Sequence, residues 1–133
     1  MTVREVFAEC IRAHIPALPF SGDKEQITGR VTLKNILKTS CLPEYMVELA
    51  PVLGEQLSCM QNVEAKAKEL MGNPVQPYVL DGYLSITSNS SGIKALAMME
   101  QADTSYIFVV DDGIYKGIVS IQGLAGMLSS LDG

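Results

Sequence analysis

The sequence has no tryptophan, a single histidine and three cysteines, and only 19% of its 133 residues are charged. Each scarcity excludes something. Cys10, Cys41 and Cys59 are an odd number, 31 and 18 residues apart, so they spell neither a CxxC pair nor a disulfide framework. With His14 they make at most four zinc-type ligands, too scattered along the chain to mark a site. Cys10 falls on the apolar side of a helical pattern, where cysteine behaves as a small hydrophobe, and all three thiols are read as reduced and structural. No apolar run approaches the roughly 18–20 residues of a membrane span; the longest is residues 106–110. Met1-Thr2-Val3-Arg4-Glu5 is not a basic head followed by an apolar core, so no secretory signal is expected. Basic residues are in deficit, 10 Lys and Arg against 15 Asp and Glu, for a net charge of −5. That balance argues against non-specific nucleic-acid binding, which needs cations to neutralise phosphates. Neither GxGxxG nor GxxxxGK[ST] occurs, and His14 has no Ser or Cys in a nucleophile motif. An enzyme is therefore not expected.

What is there is apolar. Hydrophobic residues make up 47% of the chain, which excludes intrinsic disorder. A chain of 133 residues is one compact domain or two very small halves sharing a core. The expectation is a small, acidic, cytoplasmic protein without membrane insertion.

An internal repeat decides between one domain and two halves. Val3, Val6, Phe7, Cys10 and Ile11 recur at three- and four-residue intervals, one face of a helix. Ala95, Leu96, Met98, Met99 and Ala102 do the same after Ser88-Asn89-Ser90-Ser91-Gly92, which offers several N-caps. A strand follows each helix. Ile15-Pro16-Ala17-Leu18-Pro19-Phe20 carries two prolines, which suit an edge position. Ser105-Tyr106-Ile107-Phe108-Val109-Val110 is β-branched and aromatic, and reads as buried. Turns come at Ser21-Gly22-Asp23-Lys24 and Asp111-Asp112-Gly113, the second a strong hairpin signal because Asp-Gly takes positive φ readily. Asp111 and Asp112 are thus turn residues rather than a paired-carboxylate site.

Each copy then runs through a strand into another helix, from Gly29 and from Gly117. These glycines are expected to permit close backbone packing. Val6 to Ala95 and Phe20 to Val109 are 89 residues apart, whereas Gly29 to Gly117 and Thr32 to Ser120 are 88 apart. The one-residue difference falls in the turn, where length changes are best tolerated. Between the copies, a helix opening at Pro43 and a second over residues 61–71 are expected. The second copy has a lead-in strand, Tyr83-Leu84-Ser85-Ile86-Thr87, without a counterpart in the first. Either the first copy lacks that strand or another segment supplies it.

The order helix, strand, hairpin, strand ending in Gly-apolar-apolar-Thr/Ser, then helix resembles the CBS domain, named from cystathionine β-synthase. In this family the domains usually occur as tandem pairs called Bateman modules. The resemblance implies an α/β (α+β) fold of two CBS repeats related by a pseudo-twofold axis, each a small sheet flanked by helices. Residues 1–40 are the first repeat, lacking its leading strand; 41–70 are a helical connection; 71–133 are the second repeat. It further implies a regulatory module that senses an adenine nucleotide or adenosyl ligand, such as AMP, ADP, ATP or S-adenosylmethionine, in the cleft between repeats. No cofactor is required, and binding regulates an unknown partner protein.

By position in the family pattern, Thr32 and Ser120 face a phosphate at a helix N-terminus, although Ser and Thr also simply cap such helices. Ile15, Pro16 and Ala17 lie near the base in the first copy, as do Tyr106 and Ile107 in the second, with Thr87 on the entering strand. The family's ribose-binding Asp is replaced by Asn35 and by Gly123. Asparagine keeps an acceptor but loses the charge, which weakens ribose binding by about tenfold; glycine offers no side chain. These departures favour a second reading, a nucleotide-independent dimerisation or protein-docking unit. In an acidic chain a phosphate gains nothing from the overall field, so it would depend on local donors such as Thr32, Lys34 or Arg30, and Ser120. Apolar faces on the short helices point to a homodimer.

Overall fold

The hydroxyl of Thr2 accepts the Glu5 N–H and so caps helix α1 (Val3–Ala13). The helix ends at His14, which takes the left-handed conformation at φ 55° and returns its N–H to Cys10 and Ile11 carbonyls. Exactly 89 residues on, the same steps recur. Ser91 accepts the Lys94 N–H to open α4 (Gly92–Ala102), and Asp103 closes it at φ 52° with its N–H on Met99 and Glu100 carbonyls. Ile15 N–H then reaches the Cys10 carbonyl at 3.0 Å, and Thr104 N–H reaches that of Met99 at 2.9 Å. The repeat seen in the apolar pattern is thus also a repeat of polar caps. At 11 residues neither helix is long enough to stand alone in water, so burial must hold each in place. Val3, Val6 and Cys10 of α1 are buried, as are Ala95 and Met99 of α4. Cys10 therefore takes the core position that Met99 takes in the second copy. The faces are narrower than the periodicity indicates: Ile11 and Leu96 are exposed.

This computed structural model describes residues 1–21, 26–41, 48–49, 51 and 63–132. The Gly22-Asp23-Lys24 part of the first turn, most of the helix expected from Pro43, and the surroundings of Cys41 and Cys59 lie outside the described residues. The elements after α1 are β1 (Ala17–Ser21), β2 (Ile27–Thr32), α2 (Leu33–Cys41), α3 (Val63–Gly72), a 3-10 turn (Gln76–Tyr78), β3 (Leu80–Asp81) and β4 (Ser85–Ile86). After α4 come β5 (Tyr106–Asp111), β6 (Ile114–Ser120) and α5 (Ile121–Asp132). The architecture is α+β, with two three-stranded sheets ordered β1-β2-β3 and β4-β5-β6 and flanked by helices.

β1 is an edge strand, where its Pro19 is tolerated. It starts two residues later than its sequence indicates. Ile15 and Pro16 precede it because the left-handed His14 must first reverse the chain, and the Pro16 carbonyl is taken by the Leu33 N–H. The lead-in strand of the second copy shrinks to Ser85–Ile86, which pairs parallel with β5. The first sheet does gain a third strand, β3, but beside β2 rather than beside β1; the Gly82 N–H donates to the Thr28 carbonyl there. The β5–β6 hairpin turns through Asp112 at φ 53° and Gly113 at φ 79°, the positive angles the Asp-Gly pair predicts.

The chain divides into two compact units, Met1–Leu18 with Val31–Leu80 and Pro19–Arg30 with Asp81–Gly133. In the first, Val3, Val6, Cys10, Ala17, Val31, Ile36 and Val75 are buried. The segment after α3 ties down the N-terminus, with Val3 N–H on the Asn73 carbonyl and Val75 N–H on that of Met1. In the second, Ile86, Ala95, Met99 and Ile107 form the core, with Leu84, Met98, Val109, Val119 and Leu124 against it. Alternation along β5 sends Phe108 to the other face, where Tyr83, Tyr106 and Tyr115 surround it at ring distances of 6.3, 5.5 and 5.6 Å.

Candidate ligand site

Each repeat has one junction where a strand passes directly into a helix, and the two junctions are built alike. In the first unit, β2 ends at Thr32, whose hydroxyl accepts the Asn35 N–H at 2.9 Å. The first amide of α2, Leu33 N–H, donates to the Pro16 carbonyl at 3.1 Å. In the second unit, β6 ends at Ser120, whose hydroxyl accepts the Gly123 N–H at 3.0 Å. There the Ile121 N–H donates to the Ser105 carbonyl at 3.0 Å. Both hydroxyls are helix N-caps. Capping uses an oxygen lone pair and leaves the hydroxyl hydrogen able to donate to an anion. The Leu33 and Ile121 bonds fasten the helix start to the segment entering the first strand of its own hairpin, bringing the expected base-side and phosphate-side residues of each copy to one end of its sheet.

Within the first unit, Ile15 and Pro16 are half-buried, while Ala17 is fully buried in the core. Asn35 is half-buried and committed: its Nδ2 donates to the Tyr78 carbonyl at 3.0 Å, fastening the Gln76–Tyr78 turn to α2. An aspartate could not make that bond, because a carboxylate has no hydrogen to give. The departure at position 35 therefore has a structural reason of its own.

Within the second unit, Tyr106 stands directly across from Ser120 in the antiparallel register, so both side chains lie on one face. Ile107 is fully buried on the opposite face. Burial pushes the Tyr106 phenol above its ordinary range, with Arg30 opposing by its charge and a hydrogen bond. Arg30 was among the candidate local donors, but its partners here are new: Nη1 donates to the carbonyls of Asp81 at 3.0 Å and Gly82 at 2.9 Å. Thr87 is exposed, with its hydroxyl on Asn89 Oδ1 and 3.0 Å from Ser90 Oγ. The next residue is anchored, since Ser88 N–H donates to Asp111 Oδ1 at 3.0 Å. Bonds from the Ser88 side chain and backbone hold the Asp111 carboxyl below its ordinary range, with Lys116 adding a smaller pull. Asp111 is thus an anchor for the loop before α4, and Asp112 is a turn residue.

Three further features are structural. Burial, helped by the Glu9 carboxylate, pushes the Cys10 thiol up to about 11, so it is an inert core residue. Gly117 does not serve close packing among the described residues, since a Cβ there would meet none of them within 4 Å. At Gly123, among the described residues, an added Cβ would meet the Ser120 hydroxyl at 3.3 Å. No helix among the described residues is long and apolar enough to cross a membrane. Nor do they hold a cluster of three His, Cys, Asp or Glu placed to bind a metal.

Comparison with known proteins agrees with this construction. The CBS domain family model matches residues 67–130. No curated protein matches the chain significantly in sequence. Solved structures are similar in fold. The CBS domain of a CBS domain-containing membrane protein from Sphaerobacter thermophilus has a TM-score of 0.63 at 19% identity, over 94% of this chain and 76% of that one. The CBS-domain protein ATU1752 from Agrobacterium tumefaciens has a TM-score of 0.61 at 14% identity, over 96% and 82%. CBSX2 in complex with AMP has a TM-score of 0.64 at 14% identity, over 98% and 84%. Residues 67–130 thus match the CBS-domain family, and the chain has the fold of CBS-domain structures along nearly all of its length.

Proposed function

We propose that this protein is a regulatory, non-catalytic module of the cytoplasm that senses an adenine nucleotide or a related adenosyl ligand. The observation that carries the reading is the doubled junction: in both repeats a capping hydroxyl sits where strand meets helix, with the expected base-side segment bonded to the first helical amide. The AMP complex of the similar CBSX2 structure supports the choice of ligand. In the first repeat Thr32 and Asn35 take the phosphate and ribose, beside Ile15, Pro16 and Ala17. In the second Ser120 takes the phosphate, beside Tyr106, Ile107 and Thr87. The repeats span residues 1–40 and 71–133, joined by 41–70. The protein acts as a homodimer, and ligand binding biases a partner protein or an attached domain by favouring one conformation over another.

Thermal melting with AMP, ADP, ATP and S-adenosylmethionine at millimolar concentration tests this. Ligand at about 100 times its dissociation constant adds roughly 2.7 kcal/mol, a rise of several degrees. Thr32→Ala or Ser120→Ala should diminish the rise for the copy that holds the ligand. A flat melting temperature with all four compounds rejects the sensor. Two observations favour a second reading in that event, a nucleotide-independent dimerisation or docking unit: the Asn35 amide is already occupied by Tyr78, and Gly123 offers no side chain.

A further inference from the structure

Residues 81–88 enter the second repeat with little strand pairing of their own. Within them β4 is two residues long, Ser85 and Ile86, in register with Phe108 and Val109 of β5. Before it, the Leu84 carbonyl accepts the Phe108 N–H at 3.1 Å. A parallel pairing this short is weak, so the placement of the segment depends on how its ends are held. The far end is tied where Ser88 N–H donates to Asp111 Oδ1 at 3.0 Å. The near end is tied to β2. Gly82 N–H donates to the Thr28 carbonyl at 3.2 Å, and Arg30 Nη1 donates to the carbonyls of Asp81 at 3.0 Å and Gly82 at 2.9 Å. Gly82 turns the chain there, at φ 76°. Thr28, Arg30 and the whole entering segment lie in the second unit.

We infer that Arg30 is a positioning residue: it clamps the elbow at Asp81 and Gly82 onto β2 and so sets where the entering strand stands against β5. Tyr83, whose ring lies 6.3 Å from that of Phe108, and Thr87 are the side chains it places. The link to a ligand through Thr87 rests on the sensor reading above; the clamp itself does not. Bonds from a charged donor are roughly twice as strong as neutral ones, and here both leave a single nitrogen. The duty therefore needs a cation with several hydrogens on one nitrogen rather than the paired fork of a guanidinium. Lysine meets that requirement, and methionine, unbranched and without a donor, does not. Arg30 belongs to the first repeat's hairpin, so the entry to the second repeat is held by a residue that no pattern within residues 71–133 contains.

Amide hydrogen exchange followed by NMR on the full chain, without ligand, tests the clamp. Arg30→Met should speed exchange of the Gly82 and Phe108 amides by about tenfold or more, the worth of one charge-assisted bond. The Thr104 amide, bonded to the Met99 carbonyl, should keep its rate. Arg30→Lys should return Gly82 and Phe108 close to wild type. Unchanged exchange at Gly82 in Arg30→Met overturns the inference, and so does a lysine variant no better than methionine. Equal acceleration at Thr104 overturns it too, because the loss is then one of general stability. If Gly82 speeds up while Phe108 does not, the elbow does not set the strand and the positioning role fails. Titration with adenosine, which has no phosphate and so reads position rather than charge, tests the link to the site. Arg30→Met should weaken adenosine and Arg30→Lys should recover it; equal affinity in wild type and Arg30→Met breaks that link. If wild type binds no adenosyl compound, the sensor reading fails and the exchange rates alone decide the clamp. Should Arg30→Met not fold, Arg30→Gln, with its shorter reach, takes its place under the same criteria.

Discussion

At the scale of single residues, the chain places ordinary chemistry under unusual local constraints. Asn35 is the clearest case. The family pattern asks for an aspartate there to receive ribose hydroxyls, yet the amide donates to the Tyr78 carbonyl at 3.0 Å and holds the 3-10 turn against α2. Asn35→Asp should therefore pull stability and affinity in opposite directions. A carboxylate facing that carbonyl loses a donor and leaves a half-buried acceptor unpaired, a cost of about 1–3 kcal/mol and a fall of several degrees in Tm. On the proposed sensor reading the same carboxylate would give the ribose a charged acceptor, so adenosine affinity should rise by about tenfold. Differential scanning calorimetry and titration on one sample check both, and Asn35→Ala should lose stability with no gain in affinity. A variant that neither melts earlier nor binds better removes Asn35 from the site. The residue scale also shows where sequence reading ends. Thr32, Ser120, Thr2 and Ser91 are legible because a cap and its amide are three residues apart. The partners of Asn35 and Arg30 are 43 and 51 residues away, and no spacing rule reaches that far.

At the scale of elements, the second hairpin carries two glycines with different duties. Gly113 sits at φ 79°, and an added Cβ would come within 3.2–3.3 Å of the Gln26 side chain. Gly117 has no positive φ, and a Cβ there meets none of the described residues within 4 Å. Gly113→Ala should thus cost roughly 1–2 kcal/mol for the left-handed backbone, with further strain unless Gln26 moves aside. Gly117→Ala should be neutral or add about 0.5 kcal/mol by reducing unfolded-chain entropy. Urea denaturation of both variants with unchanged m-values measures the contrast, and equal losses at the two sites refute it. Helices and the main strands could be read from apolar period, Pro and Asp-Gly because each signal is local. The third strand of the first sheet could not. Leu80–Asp81 is only two residues long, too short to show alternation, and it is a strand solely because β2 offers an edge to pair with. For the same reason the lead-in strand of the second copy is shorter than its β-rich sequence indicates: Ser85 and Ile86 stand in register with β5, and before them the Leu84 carbonyl accepts the Phe108 N–H.

At the scale of the whole molecule, the two copies are alike in caps and junctions but unlike in their final helices. The helix α2 carries Lys34 and Lys38 on its surface, whereas α5 has no charged residue before Asp132 at its end. Yet α5 is exposed: Met127, Leu128 and Leu131 keep 51%, 63% and 77% of their surface. Its neighbour α4 continues the same apolar surface, since Gly92 lies against Leu124 and Met127 and the next residue, Ile93, is 77% exposed. A chain with net charge −5 that leaves one surface helix uncharged has a surface suited to another protein rather than to water. The homodimer proposed above fits it, because an uncharged face can meet its own copy about a twofold axis without like-charge repulsion. Sedimentation equilibrium should give twice the 14.4 kDa chain mass. Leu128→Glu should return the protein to a monomer with an unchanged far-UV spectrum, since the side chain contributes little to the protomer's own core. Lys34→Glu on the charged counterpart α2 should leave the mass of the assembly as it was. A wild-type protein that sediments as a monomer rejects the dimer outright. A dimer that survives Leu128→Glu moves the interface off α5, and the uncharged helix then serves a different partner, the one the regulated-protein reading requires.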